Sequence, residues 1–156
     1  GGSESSRSQS AEPGTGRTRV MTLMWRPGNR RIASIVPTYQ QRHIHHLTTF
    51  HHVIVQYCQN LRLAHSSTQE RRILIPEIAD DISYCTALHE LGHILDPAQH
   101  FISVTDFGIG TPNIAHNEIG AWRWAQEHAL WWTPTMDATM IYALCTYGID
   151  ATAVNV

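Results

Sequence analysis

The sequence predicts a compact α+β domain, mostly helical, with a small mixed or antiparallel sheet of about three strands packed on one of its helices. Three observations carry this expectation. The chain has 156 residues, 42% of them apolar, which is enough for one hydrophobic core and too little for two. Apolar residues recur at steps of three and four in four stretches, the pattern of a helix that buries one face. Short runs rich in β-branched and aliphatic residues, bounded by turn residues, lie before and between those stretches.

Taken in order, residues 1–19 (GGSESSRSQSAEPGTGRTR) are rich in Ser and Gly and carry no apolar pattern. They cannot bury enough surface to offset the entropy of ordering, so a disordered tail is expected, with Gly1-Gly2-Ser3 reading as an expression scar. Residues 20–156 are expected to form a single domain. VMTLMW and RRIASIV flank Pro27-Gly28-Asn29, which predicts a β-hairpin. From about Thr38 to Leu61, the residues Ile44, Leu47, Phe50, Ile54, Tyr57 and Leu61 follow helical spacing.

Five histidines, His43, His45, His46, His51 and His52, fall on that segment. Neighbours on a helix diverge by about 100°, so they do not converge on one ion and read as a polar face. Leu61–His65 and Arg71–Ile78 predict two short strands about the turn Ser66–Gln69, with Pro76 suited to an edge strand or a bulge. Asp80-Asp81 supply an N-cap for a helix over Ile82–Leu95 that Pro97 helps to stop. A loop is expected over His100–Asn113, then a helix over Ile114–Trp131. Pro134 opens a last helix through Tyr147, with Met136, Met140, Leu144 and Tyr147 facing inward.

Eleven Lys plus Arg against thirteen Asp plus Glu leave a net charge of −2. No bulk cationic field is present, so neither direct nucleic-acid binding nor attachment to an anionic membrane is expected. Cys58, Cys85 and Cys145 are odd in number and lack a C-x-x-C spacing, which argues for buried free thiols in a reducing compartment. With no run of 18 apolar residues and no signal pattern, a soluble cytoplasmic protein is expected. Oligomeric state has no signature in the sequence.

The chemistry concentrates at His89-Glu90-Leu91-Gly92-His93, an H-E-x-x-H motif. Residues four apart share a helix face, so both imidazoles reach one zinc ion, and Glu90 flanks the pair where its carboxylate can take a proton from a zinc-bound water. Eleven His and seven Glu in this chain make about 0.03 accidental matches. Tyr84, Ala87, Leu88, Leu91, Ile94 and Leu95 cluster about 200° away from His89, so the helix buries the side opposite the pair. Two histidines satisfied at a core edge are the alternative.

A catalytic zinc takes three protein ligands and keeps one open position. Glu118 is the candidate third ligand, because it shares a helix face with Ala121, Trp122, Ala125, Ala129 and Trp132, where a carboxylate is costly unless paired or metal-bound. The three alanines allow close helix packing. A salt bridge to Arg123 or a solvated helix start remains the other reading, and His100, Asp106 and His116 are reserve ligands. The longer motif of the metzincins needs Gly at 96 and His at 99, where Asp96 and Gln99 stand. Asp96 instead suits a partner that orients an imidazole.

His89-Glu90-Leu91-Gly92-His93 followed by Glu118-x-x-Ala121-x-x-Trp124-Ala125 resembles the ImmA/IrrE family of small zinc metallopeptidases. Those proteins pair an H-E-x-x-H helix with a downstream E-x-x-A-x-x-F-A helix, and Trp124 stands where that pattern prefers Phe. Asn117-Glu118 is similar to the N-E of the gluzincins. The resemblance, carried by residues 71–130, implies a zincin-like domain with one zinc per chain, held by His89, His93 and Glu118. It also implies that RRILIPEI is the strand that precedes the metal helix and binds extended peptide.

The implied activity is hydrolysis of a peptide bond in an intracellular regulatory protein such as a helix-turn-helix repressor, with Glu90 as general base and acid. His116, His128, Tyr142 and Tyr147 are candidates for the donor that stabilises the oxyanion. A zinc-containing module that captures a regulatory protein without cleaving it is the alternative, and a purely structural zinc would need four closed ligands. Trp122, Trp124, Trp131 and Trp132 read as core or interface area before cleft floor.

Overall fold

The computed structural model describes residues 37–99 and 112–155, which belong to one compact unit, Val36–Val156. The tail, the hairpin about Pro27-Gly28-Asn29 and most of the loop expected over 100–113 lie outside the described residues, as do His100 and Asp106.

Helix α1 (Tyr39–Phe50) starts at a capping box in which Thr38 and Gln41 satisfy each other's backbone N–H groups. Two glutamines on its first turn reach across the fold. Gln41 donates to the Ile78 carbonyl and Gln40 to the Asp81 carboxylate, at 2.9 and 2.8 Å.

The helix expected to run to Leu61 ends eleven residues sooner. His51 caps it, His52 turns left-handed at φ 54°, and the Val53 N–H bonds back to the Thr48 carbonyl. Strand β1 (Ile54–Cys58) follows. Val53, Ile54, Val55 and Tyr57 lose side-chain freedom in a helix and fit a pleated surface better. Their three-and-four spacing is coincidental to burial, for Ile54 and Tyr57 are 57% and 62% exposed.

The strand expected at Leu61–His65 is also displaced. Asn60 captures the Arg62 N–H with its side chain at 2.9 Å, competing with a ladder and winding Leu61–Leu63 into a short 3-10 turn. Strand β2 is His65–Ser67, and the turn shifts to Thr68–Arg71 before β3 (Arg72–Pro76).

The sheet is mixed, in the order β1-β3-β2. β3 pairs parallel with β1 from Ile54↔Arg72 to Cys58↔Pro76, and antiparallel with β2 from His65↔Leu74 to Ser67↔Arg72. Pro76 is therefore on the central strand rather than an edge or bulge. It is tolerated because pairing with β2 ends at Leu74, so its missing N–H leaves no gap in that ladder. Ile73 and Ile75 alternate into the core with no exposure.

Helix α2 (Asp81–Leu95) begins at the expected acidic cap, where Asp80 accepts from the Ser83 N–H at 2.8 Å and Ser83 returns a bond to the Asp80 N–H. Its core face carries Tyr84, Ala87, Leu88 and Leu91, all fully buried. The Tyr84 hydroxyl accepts from the Leu130 N–H at 3.0 Å and meets His43 Nδ1 at 2.7 Å. That one phenol ties α1, α2 and the segment after α3 together, and it gives one of the five clustered histidines a structural partner.

Helix α3 (Pro112–His128) stops three residues before its expected end, leaving Trp131 exposed. Helix α4 (Pro134–Thr146) is capped by Thr133, whose hydroxyl also donates to Asp81. Met136, Met140 and Leu144 point inward as expected, with Tyr147 half-buried at the C-cap. Of the three thiols expected to be buried only Cys85 is, and burial pushes its pKa up to about 12. Cys145 is exposed. Among the described residues no helix is long and apolar enough to cross a membrane.

Candidate metal centre

His89 and His93 lie one turn apart on α2, on the side away from Tyr84 and Leu88. What brings a third group to them is the crossing of α3. Gly92 sits between the histidines in sequence, and a Cβ there would lie 2.6 Å from the Ala121 carbonyl oxygen and 2.8 Å from its Cα. The absence of that methyl lets the two backbones touch, and Ala121 and Ala125 are fully buried on α3. Glu118, one turn before Ala121, is thereby set against both imidazoles.

The three side chains converge. His89 Nε2 and His93 Nε2 are 3.1 Å apart. The Glu118 carboxylate is 3.3 Å from His89 Nε2 and 3.4 Å from His93 Nε2. Among the described residues this is the group of acidic, His or Cys side chains able to hold a metal ion. A buried carboxylate oxygen without a donor is costly, and Glu118 Oε2 is in that position. A cation placed among the three atoms satisfies it, so the residues fit a metal.

Without an ion, the carboxylate and the imidazoles stabilise each other's charged forms. Burial opposes ionisation of Glu118, but the His89 and His93 imidazoles that face it outweigh burial and hold its pKa down to about 2. Burial likewise opposes charge on His93. Glu118 prevails there too, with Glu90 and Gln99 adding to it, and the pKa of His93 is raised.

The rings are held differently. His89 stacks on Trp122 with centroids 4.3 Å apart and planes 24° from parallel. Trp122 is thus both core, as expected of it, and the wall behind His89. The His93 ring meets the His89 ring edge-on.

Glu90, next to His89, is buried and lines a cavity of about 680 Å³ together with His89, Glu118, Trp122, Tyr142 and Tyr147. No described group hydrogen-bonds its carboxylate. The opposite wall comes from Leu61, Arg62 and Ala64, the residues that lead into β2.

Of the four expected oxyanion donors, this cavity holds two. Tyr142 is 72% exposed at its mouth. Tyr147 is half-buried, and burial followed by the charges of Glu118 and Glu90 raises its pKa and keeps its hydroxyl protonated. His116 bonds the Ala98 carbonyl at 2.9 Å, and His128 stacks on Trp124 and bonds its carbonyl. Both belong to a separate hollow beside Asp96.

Two further expectations are corrected. Asp96 touches neither imidazole. Its carboxylate accepts from the Ala98 N–H and from the Gln99 amide, and Gln99 is the residue that reaches His93. Gln99 carries no motif that marks it in the sequence, and Gly92 is legible only once α3 is known to cross there. β3, the strand of RRILIPEI, has a partner on each side and presents no free edge for an extended peptide. Among the described strands, the edges belong to β1 and β2. Comparison with protein-family models, with curated proteins and with solved structures finds no match for this chain.

Proposed function

We propose that this protein is a zinc-dependent peptide hydrolase in which His89, His93 and Glu118 hold the metal and Glu90 is the general base. One observation carries the reading. Zinc bound tetrahedrally at about 2.0–2.2 Å separates its donor atoms by about 3.3 Å, and the three contacts here are 3.1, 3.3 and 3.4 Å. Three such donors leave one vertex open, as a catalytic site requires.

Bound there, zinc supplies Lewis-acid polarisation of a carbonyl and lowers the pKa of its water to about 7. Glu90, which lines the cavity and has no competing hydrogen bond among the described residues, accepts the proton of the attacking water and passes it to the departing amine nitrogen. The Tyr147 hydroxyl donates to the oxygen that gains negative charge. The edge strand β2, adjoining the cavity through Ala64, offers backbone groups to an extended peptide.

The H-E-x-x-H and E-x-x-A patterns, with their resemblance to ImmA/IrrE, favour a cytoplasmic regulatory protein as substrate. Metal analysis of the wild type beside His93→Ala and Glu118→Ala tests the ligand set. One zinc per chain in the wild type and its loss from both variants are expected, and stoichiometric zinc in both variants overturns the site. Glu90→Gln is expected to keep zinc and lose hydrolysis of an unfolded protein substrate.

A further inference from the structure

We infer that Gln99 is the positioning residue of the metal centre, fixing the His93 imidazole in the form that carries its proton on Nδ1 and leaves the Nε2 lone pair for the ion. The inference rests on the metal-holding reading of His89, His93 and Glu118, and it concerns a residue outside that set.

The orientation of the Gln99 amide decides the matter. Its Nε2 donates to Asp96 Oδ2 and to the Asn117 carbonyl, both at 3.0 Å. Two acceptors engage the two amide protons, so the amide cannot be reversed without setting oxygen against oxygen twice. Oε1 is therefore the atom that faces His93 Nδ1, at 3.2 Å. An amide oxygen only accepts, so Nδ1 must donate. In a neutral ring the other nitrogen then has a free lone pair, and that nitrogen is the one 3.4 Å from Glu118.

The support behind Gln99 is itself fixed. Asp96 caps α2 and accepts from the Ala98 N–H at 3.0 Å. On the facing helix, a Cβ at Gly120 would lie 2.5 Å from Asp96 Oδ2 and 3.0 Å from Gln99 Nε2. The space for the pair is thus made by a glycine. The other ligand has no such lock among the described residues, where His89 Nδ1 is buried without a hydrogen-bond partner and the ring rests on Trp122. Removing Gln99 accordingly releases the one of the two imidazoles whose tautomer a described group dictates.

The test uses Gln99→Met, similar in length and without the amide, and the double variant Asp96→Asn with Gln99→Glu, which keeps an acceptor for His93 and restores a donor to hold it. Zinc affinity is measured by chelator competition, and the His93 tautomer by nitrogen-15 NMR of the metal-free chain at alkaline pH, where the ring is neutral. Gln99→Met is expected to weaken zinc binding by about 10–100-fold and to shift His93 from the Nδ1–H form toward a mixture. The double variant, whose carboxylate still faces the Asn117 carbonyl, is expected to restore the tautomer and part of the affinity. Affinity in Gln99→Met within about twofold of wild type, or an unchanged tautomer, overturns the inference even if stability falls. A wild type that binds no zinc overturns the metal reading instead, and the tautomer still decides the role of Gln99.

Discussion

Gly92 on α2 and Ala121 on α3 meet backbone to backbone, with the position of a Gly92 methyl only 2.6 Å from the Ala121 carbonyl oxygen. This contact sets the distance between the helix that carries the two histidines and the helix that carries Glu118. An alanine in a helix interior normally gains about 1 kcal/mol over glycine. Here the obstacle is main chain, which cannot rotate aside. Gly92→Ala is expected to cost about 1–3 kcal/mol as an overpacked core and to weaken zinc binding, because α3 moves off with Glu118. Denaturant melts and zinc competition measure the two effects, and a variant more stable than wild type would refute the contact.

The start of α2 gives a pH-dependent expectation. Asp80 accepts from the backbone and side chain of Ser83, which holds its pKa below the usual 3.8. A carboxylate depressed on folding contributes stability that is present above its unfolded pKa and lost as pH falls through the folded one. Asp80→Ala is expected to cost about 0.5–2 kcal/mol near neutral pH. The difference from wild type should shrink below pH 3.8 as the wild-type cap becomes protonated. Urea melts across that range check it, and a constant difference would mean that the cap is not carried by the carboxylate.

The same helix shows why part of this protein is legible from its residues alone. The His89, Glu90 and His93 spacing, the Asp80 cap and the core positions Met136, Met140 and Leu144 are local patterns that tertiary contacts reinforce. Glu118 stands out because a carboxylate on an alanine-rich face needs a partner. The failures are also physical. His51 to Cys58 keeps helical spacing, yet its β-branched residues find a parallel partner in β3, a pairing between segments 18 residues apart in the register Ile54↔Arg72. Gln99 is a polar residue after a helix, and only the fold shows Asp96, Asn117 and His93 arranged around its amide.

Tyr84 supplies a further expectation away from the candidate metal centre. Its buried hydroxyl satisfies the Leu130 N–H and meets His43. Tyr84→Phe orphans both and is expected to cost about 1–3 kcal/mol. Burial, with the nearby His46 and His128, lowers the pKa of His43 from 6.5. A base depressed on folding is neutral in the native state where the unfolded chain is already charged. Stability is therefore full above pH 6.5 and declines as pH falls toward the folded pKa. His43→Gln is expected to flatten that decline, and an unchanged slope in melts between neutral and mildly acid pH would count against the neutral imidazole.

The two tyrosines on the cavity separate proton chemistry from simple lining. Tyr147 closes α4 beside Glu118 and Glu90, whose charges together with burial keep its hydroxyl protonated at neutral pH. Tyr142 stands on the same cavity but is largely in solvent, where a hydrogen bond to a developing charge competes with water. Loss of a buried oxyanion donor typically costs about 100–1,000-fold in turnover, and loss of an exposed one far less. Tyr147→Phe is therefore expected to lower kcat on a peptide substrate by about 100-fold with zinc still bound, while Tyr142→Phe stays near wild type. Steady-state kinetics beside metal analysis make the comparison, and the reverse ranking would move the donor role to the mouth of the cavity.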